Sequence, residues 1–268
     1  MSKKISNLTI SYMLFLLLLS FSAVAPEPWQ SILQIIAYIA PIALALFMSH
    51  ESIRDLRCLS FSKSGFLNTI PLIAPTLSVI MIISYLTSLL VFIISGKSGR
   101  VDLGDNYLLA IIMHALIPAV FEEILFRYLP MRLLSSHSRR VTVLISALFF
   151  ALVHHDLFSI PYAFVAGIVF MSIDLAFDSV IPSVLIHFIN NTLSVSLVML
   201  KGVPFASSTL LLSLGVVTVA SIIFIIIKRE KYKQMLLFAF SGGEKPTFNF
   251  EMLIFSAVTL SMAVIQLL

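Results

Sequence analysis

The residues best suited to chemistry are Glu122, Glu123 and Arg127, in the stretch Phe121-Glu122-Glu123-Ile124-Leu125-Phe126-Arg127 at the end of an apolar run. A charged side chain at the centre of a membrane helix costs about 2.5–3.5 kcal/mol on insertion scales, so charges kept there point to a functional site. On a helix Glu123 and Arg127 are four apart, share a face and can pair. Glu122 diverges from Glu123 by about 100° and needs another partner. This division suggests a structural pair, Glu123–Arg127, beside a reactive carboxylate, Glu122, placed as a general base. Two further apolar runs carry polar groups. Phe150 and His154 share a helical face, which puts an aromatic wall beside the imidazole; His155 and Asp156 fall nearer the predicted outer boundary. His187 and Asn191 also share a face. Imidazole can bind a metal, activate water or stabilise charge, and a carboxamide can orient that ring or donate to an oxyanion.

Taken singly, these motifs have plain readings: a juxtamembrane charge cluster, or interhelical hydrogen bonds. Together they supply what amide hydrolysis requires, namely a carboxylate base, two imidazoles and a neutral donor. Glu122, His154 and His187 could also hold a zinc ion with one position open. The helix signature His-Glu-x-x-His and the nucleophile signature Gly-x-Ser-x-Gly are absent. Cys58, the single cysteine, lies in a loop far from these segments, and Asp174 and Asp178 sit around one helix end. Serine and aspartyl mechanisms are disfavoured.

The elements that must position these groups are membrane helices. The chain has 268 residues, 59% hydrophobic and 11% charged, with a mean hydropathy of +1.06. This composition indicates an all-α, polytopic transmembrane helical bundle and excludes a separate soluble domain. Spans need about 20 mostly apolar residues. Eight or nine are predicted, near 8–25, 29–49, 74–95, 107–127, 141–155, 160–177, 180–200, 209–227 and 249–268. An apolar lead-in at 65–73 is either interfacial or an extension of the third span, and the polar stretch near 228–245 reads as a loop. With the N-terminus in the cytoplasm, this segmentation divides the 17 basic residues 14 inside and 3 outside, the three being Lys97, Arg100 and Lys201. The net charge of +4 is therefore explained by topology and membrane lipid, with no nucleic acid partner. The first span ends in Ala23-Val24-Ala25, like a signal peptide, but Pro26 follows and an uncleaved span is expected.

The ordered set Glu122-Glu123-x-x-x-Arg127, Phe150-x-x-x-His154 and His187-x-x-x-Asn191 resembles the CAAX protease and bacteriocin-processing family of intramembrane proteases, also called the ABI family. The three motifs are complete and fall within one four-helix core, residues 107–200, flanked by N-terminal helices (1–106) and C-terminal helices (201–268). The resemblance implies an intramembrane endopeptidase acting on a membrane-associated protein or peptide, in which Glu122 activates water and His154 helps hold it. His187 and Asn191 would stabilise the oxyanion, with Glu123, Arg127 and Phe150 in support. Family members are described both as metalloproteases and as metal-independent glutamate proteases, and some take part in bacteriocin maturation or immunity. The alternative is a non-catalytic immunity or regulatory protein of the same fold. A small transporter is disfavoured because no inverted repeat is visible. A bacterial plasma membrane is the expected location.

Three further expectations concern geometry. Counted from the cytoplasmic side at about 1.5 Å per residue, His154 lies about 20 Å deep and His187 about 10 Å, a mismatch that tilt or an early helix start must absorb. The cavity is expected to open towards the cytoplasm. His114 is read as a packing histidine.

Overall fold

The computed structural model describes residues 2–26, 29–51, 62–96, 103, 106–154, 156–200, 204–242 and 249–265. Among these residues the fold is ten helices with no strand: α1 Ser2–Val24, α2 Trp29–Ser49, α3 Lys63–Ser95, α4 Tyr107–Leu133, α5 Arg139–Leu152, α6 Ile160–Phe177, α7 Ile181–Met199, α8 Pro204–Ile227, α9 Arg229–Ala239 and α10 Phe250–Ile265. Seven of them, α1 to α4 and α6 to α8, are long and apolar enough to cross a membrane, which makes this a multi-pass membrane protein.

Of the eight or nine expected spans, seven are long enough among the described residues; α5 and α10 are shorter there. At 14 and 16 residues they extend about 21 and 24 Å, short of a hydrocarbon core of about 30 Å. Helix α5 stops at Leu152 because a polar turn follows: the carboxylate of Asp156 accepts from the amide of Phe158 at 2.8 Å and closes a turn there. The last predicted residues of the ninth span, 266–268, lie outside the described residues.

The polar stretch read as a loop contains α9 instead. Lys, Glu, Arg and Gln are good helix formers, Glu230 stands in the first turn where the helix dipole favours an acid, and Tyr232 and Ala239 form the buried face. Charge density hid a short amphipathic helix. The lead-in at 65–73 belongs to α3, whose 33 residues begin at a Ser62 cap that accepts from the Gly65 amide.

Side chains at the helix ends show how the bundle is assembled. Glu51, after α2, meets Lys4 of α1 at 3.9 Å and Arg132 of α4 at 3.1 Å. Asn249, before α10, donates to Ser6 at 3.0 Å. Arg139, opening α5, lies 3.7 Å above the Phe238 ring of α9, and Tyr232 of α9 donates to the Asn68 carbonyl of α3. One end of the bundle thus collects the described basic side chains other than Arg127. The alternation of helix direction behind the predicted charge split is reproduced among the described helices.

The core lies nearest this basic end. Tyr12 of α1 stacks on Phe126 of α4 and contacts Phe149 of α5, with ring centroids 4.9 and 4.6 Å away. Helices α5 and α6 approach closely at Gly167, where an added Cβ would lie 2.7 Å from the Ala147 Cα.

Candidate active site

Helix α4 carries the acidic pair, and its local geometry is unusual. Two five-residue π-segments, Ile112–Leu116 and Ile124–Tyr128, interrupt its α-helical hydrogen bonding. The second starts immediately after Glu123. A π-segment disturbs the regular ladder and exposes carbonyl groups to other partners. Two neighbouring helices supply them: the Tyr12 hydroxyl donates to the Leu125 carbonyl at 3.2 Å, and the Ser146 hydroxyl donates to the Phe126 carbonyl. α1 and α5 are thereby fixed against the turn that follows the two glutamates.

Glu122 and Glu123 have separate surroundings. Glu123 is fully buried; one oxygen lies 3.1 Å from Arg127 Nε and the other 2.7 Å from His187 Nδ1. Arg127 is fully buried as well, with its guanidinium 4.2 Å from the Phe150 ring centroid and 5.4 Å from that of Phe170. Its terminal nitrogens meet no hydrogen-bond acceptor among the described residues, so aromatic faces stand where acceptors would. Glu122 points into a cavity of about 530 Å³. It accepts a hydrogen bond from the Tyr38 hydroxyl of α2 at 3.1 Å, and its second oxygen is 3.9 Å from His187 Nε2.

The histidines are oriented by their other nitrogens. His154 Nδ1 is 2.7 Å from the Phe150 carbonyl, which can only accept, so Nδ1 carries the proton. Neutral His154 therefore presents a lone pair at Nε2. His187 Nδ1 faces the carboxylate of Glu123 in the same way and leaves its Nε2 towards Glu122. Asn190 donates to the Asn191 carboxamide oxygen at 3.2 Å, so the Asn191 amide hydrogens are free to donate elsewhere. Phe150 stands between the imidazoles, its centroid 5.0 Å from His154 and 5.8 Å from His187.

Glu122, Phe150, His154, His187 and Asn191 all line the one cavity, while Glu123 and Arg127 lie behind it. His155 lies outside the described residues. The expected depth mismatch is absorbed in two ways: α4 continues unbroken to Leu133, and α5 ends before His154, which sits in a turn. His114 is a wall residue of the cavity. The cavity does not extend towards the basic end; its remaining walls, including Ser84, Tyr85, Ser194 and Val198, lie on the other side of the cluster.

Sequence reasoning also missed four contributors. Asp174 is fully buried and accepts from both the amide and the hydroxyl of Ser183, anchoring the first turn of α7 one helical turn before His187. A carboxylate inside an apolar run was a visible signal, the same one that singled out Glu122. Tyr38 gave none, since it is 84 residues from its partner and in an undiagnostic helix. Asn190 was adjacent to a motif residue but on no motif face. The π-segments have no sequence mark.

The donor set was weighed for a metal. Among the described residues no three His, Cys, Asp or Glu side chains are grouped closely enough to hold a metal ion. The geometry does not fit a three-ligand site, and no step below passes through a metal.

Residues 104–193 match the family model described as type II CAAX prenyl endopeptidase, Rce1-like. No curated protein and no solved structure gives a significant match. All three motifs lie inside the matched stretch, and Tyr38 lies outside it. The chain carries, across residues 104–193, a domain of the Rce1-like type II CAAX prenyl endopeptidase family, which is a protease family.

Proposed function

We propose that the protein is an intramembrane endopeptidase that cleaves a membrane-associated protein or peptide with a water activated by Glu122. One observation carries this reading most directly: the second oxygen of Glu122 and the free Nε2 of His187 face each other at 3.9 Å across the cavity wall. That separation is too long for a direct hydrogen bond, so the carboxylate is left to take the water's proton and the imidazole to face the developing oxyanion.

The chemistry follows from the donors and acceptors. The water sits between the Glu122 carboxylate and the His154 Nε2 lone pair, both of which accept its hydrogens. Its oxygen adds to the scissile carbonyl carbon while Glu122 takes the proton. The carbonyl oxygen becomes an oxyanion, and the free amide hydrogens of Asn191 stabilise it, together with His187 Nε2 when that imidazole carries both protons. Glu122 then passes the proton to the leaving amine as the C–N bond breaks, and the products are an amine and a carboxylic acid that keeps the water's second hydrogen until it ionises. Tyr38 holds the Glu122 carboxylate in place, while Glu123, Arg127 and Phe150 set the His187 ring. Preorganised donors in a site shielded from bulk water are worth more than the same groups in water.

The test is cleavage of a quenched peptide library, including lipid-modified members, by purified wild type and Glu122→Gln in liposomes. Products from wild type, lost by a factor of about 10² or more in the variant, support the reading. Equal cleavage by both proteins would remove Glu122 from the base role. Cleavage by neither would favour a non-catalytic membrane partner built on the same fold.

A further inference from the structure

We propose that the cavity takes its substrate from the membrane face opposite the basic end. If the basic end is cytoplasmic, the substrates are peptide segments presented at the extracytoplasmic leaflet. This rests on the protease reading for the word substrate, but the direction of the cavity stands on separate observations.

The first observation is that the basic side is closed. Directly below Glu122, Arg127, Leu129 and Leu133 of α4 are fully buried, as are Val141 and Val143 of α5 and Ser183 of α7. Ionic links seal the end itself, through Glu51 to Lys4 and Arg132. Helix α9 packs across the ends of α5 and α6, with Arg139 over Phe238.

The second is where the walls lie. Along α4, His114 and Pro118 line the cavity on the side of Glu122 away from Leu133, and no residue beyond Glu122 towards Leu133 does. Along α7 the lining runs from His187 to Val198, eleven residues and about 16 Å towards the far end. Leu103, in the connection between α3 and α4 at the far end, completes the wall. Here the helices are splayed: Tyr85 is 69% exposed and Val198 43%.

The third is the short helix. α5 rises about 20 Å from Arg139 and stops, and residues 153–154 and 156–159 lie in the turn that leads into α6. The turn lies about 10 Å short of the far edge of a hydrocarbon core about 30 Å thick. Non-helical backbone at that depth is tolerated where it is buried in protein or lines a water-filled space. Here it carries His154, a cavity wall residue. The missing upper half of α5 is the space through which water and a peptide reach Glu122.

The same sequence supplies the sidedness. The described basic residues predicted inside lie on the closed side or, like Arg127, are buried beneath the site, and positive charge favours the cytoplasm.

The test is cysteine accessibility. In a Cys58→Ser background, Ser194→Cys places a thiol on the far wall and Lys233→Cys places one at the basic end. Intact cells are treated with a charged, membrane-impermeant methanethiosulfonate, before and after permeabilisation. The expected result is full labelling of Ser194→Cys in intact cells and none of Lys233→Cys until the membrane is opened. Labelling of Ser194→Cys only after permeabilisation, or not at all, overturns the proposal, as does labelling of Lys233→Cys in intact cells. The pattern is read again with Glu122→Gln added. Loss of peptide cleavage alone tests the chemistry, and loss of the labelling pattern alone tests the direction.

Discussion

Helices α7 and α8 are neighbours in sequence and similar in length, yet they occupy opposite environments. Of the seven spanning helices α8 is the most apolar and α7 the least. In α7, 39% of the spanning stretch is buried; in α8, none is. Lipid is as apolar as leucine, so a uniformly hydrophobic helix gains nothing by moving inside a bundle. A helix bearing Ser183, His187, Asn190 and Asn191 must hide them among partners, and α7 does so beside Glu123 and Asp174. In this membrane fold the helix that looks least like a span holds the site, and the one that looks most like a span packs chiefly on α3 at the edge of the described bundle.

The widest expected gap between the two is in activity. Removing the carboxylate that faces α7, by Glu122→Gln, should lower turnover by about 10²–10⁴ without altering folding, measured as peptide cleavage at saturating substrate. Polar substitutions along the exposed face of α8 should leave the same rate within error. A comparable loss from α8 would show that it moves with the catalytic core.

The next effect is on stability. Arg127→Met leaves Glu123 buried beside His187 without its cation. Breaking a buried pair on one side costs about 3–5 kcal/mol, so the variant should denature in detergent at markedly lower temperature. The double variant Arg127→Met with Glu123→Gln should recover much of that loss, because no unpaired charge then remains. A mild single variant would mean that the two aromatic faces and not Glu123 hold the guanidinium.

How much of this was legible in the sequence follows the same division. Residues that act through spacing on one helix were readable: Glu123 with Arg127, Phe150 with His154, and His187 with Asn191. Each pair is four apart, and the structure sets each on a common wall or in direct contact. Contacts that depend on which helices meet were not. Tyr38 reaches Glu122 only because α2 packs on α4, and hydropathy carries no such information. The π-segments escaped because they depend on tertiary partners, Tyr12 and Ser146, for the carbonyls they release. The end of α5 was missed because His154 was counted as part of a span when it begins a turn.

Two glycines give a smaller contrast. Gly167 of α6 faces α5, and a methyl group there would press on backbone at 2.7 Å, whereas Gly215 of α8 has nothing within 4 Å. Gly167→Ala should destabilise by about 1–3 kcal/mol, the usual cost of overpacking. It should also slow cleavage, because the α5–α6 hairpin carries His154. Gly215→Ala should be neutral or slightly stabilising, since alanine is the better helix former. Equal effects would contradict the close approach of α5 and α6.

The smallest effect tests whether α8 is anchored at all. Its polar link to α3 is Thr218, whose hydroxyl lies 2.7 Å from the Ser78 hydroxyl and 3.3 Å from the Ala74 carbonyl. Interhelical hydrogen bonds in membranes average about 0.6 kcal/mol, because the separated helices find other partners. Thr218→Val keeps the shape and removes the bond, so unfolding in detergent should shift by no more than that and cleavage should be unchanged. A loss of about 2 kcal/mol would place α8 among the core helices despite its exposed surface. The contrast with α7 would then be one of chemistry alone, since both helices would be held in the bundle by polar contacts of similar strength.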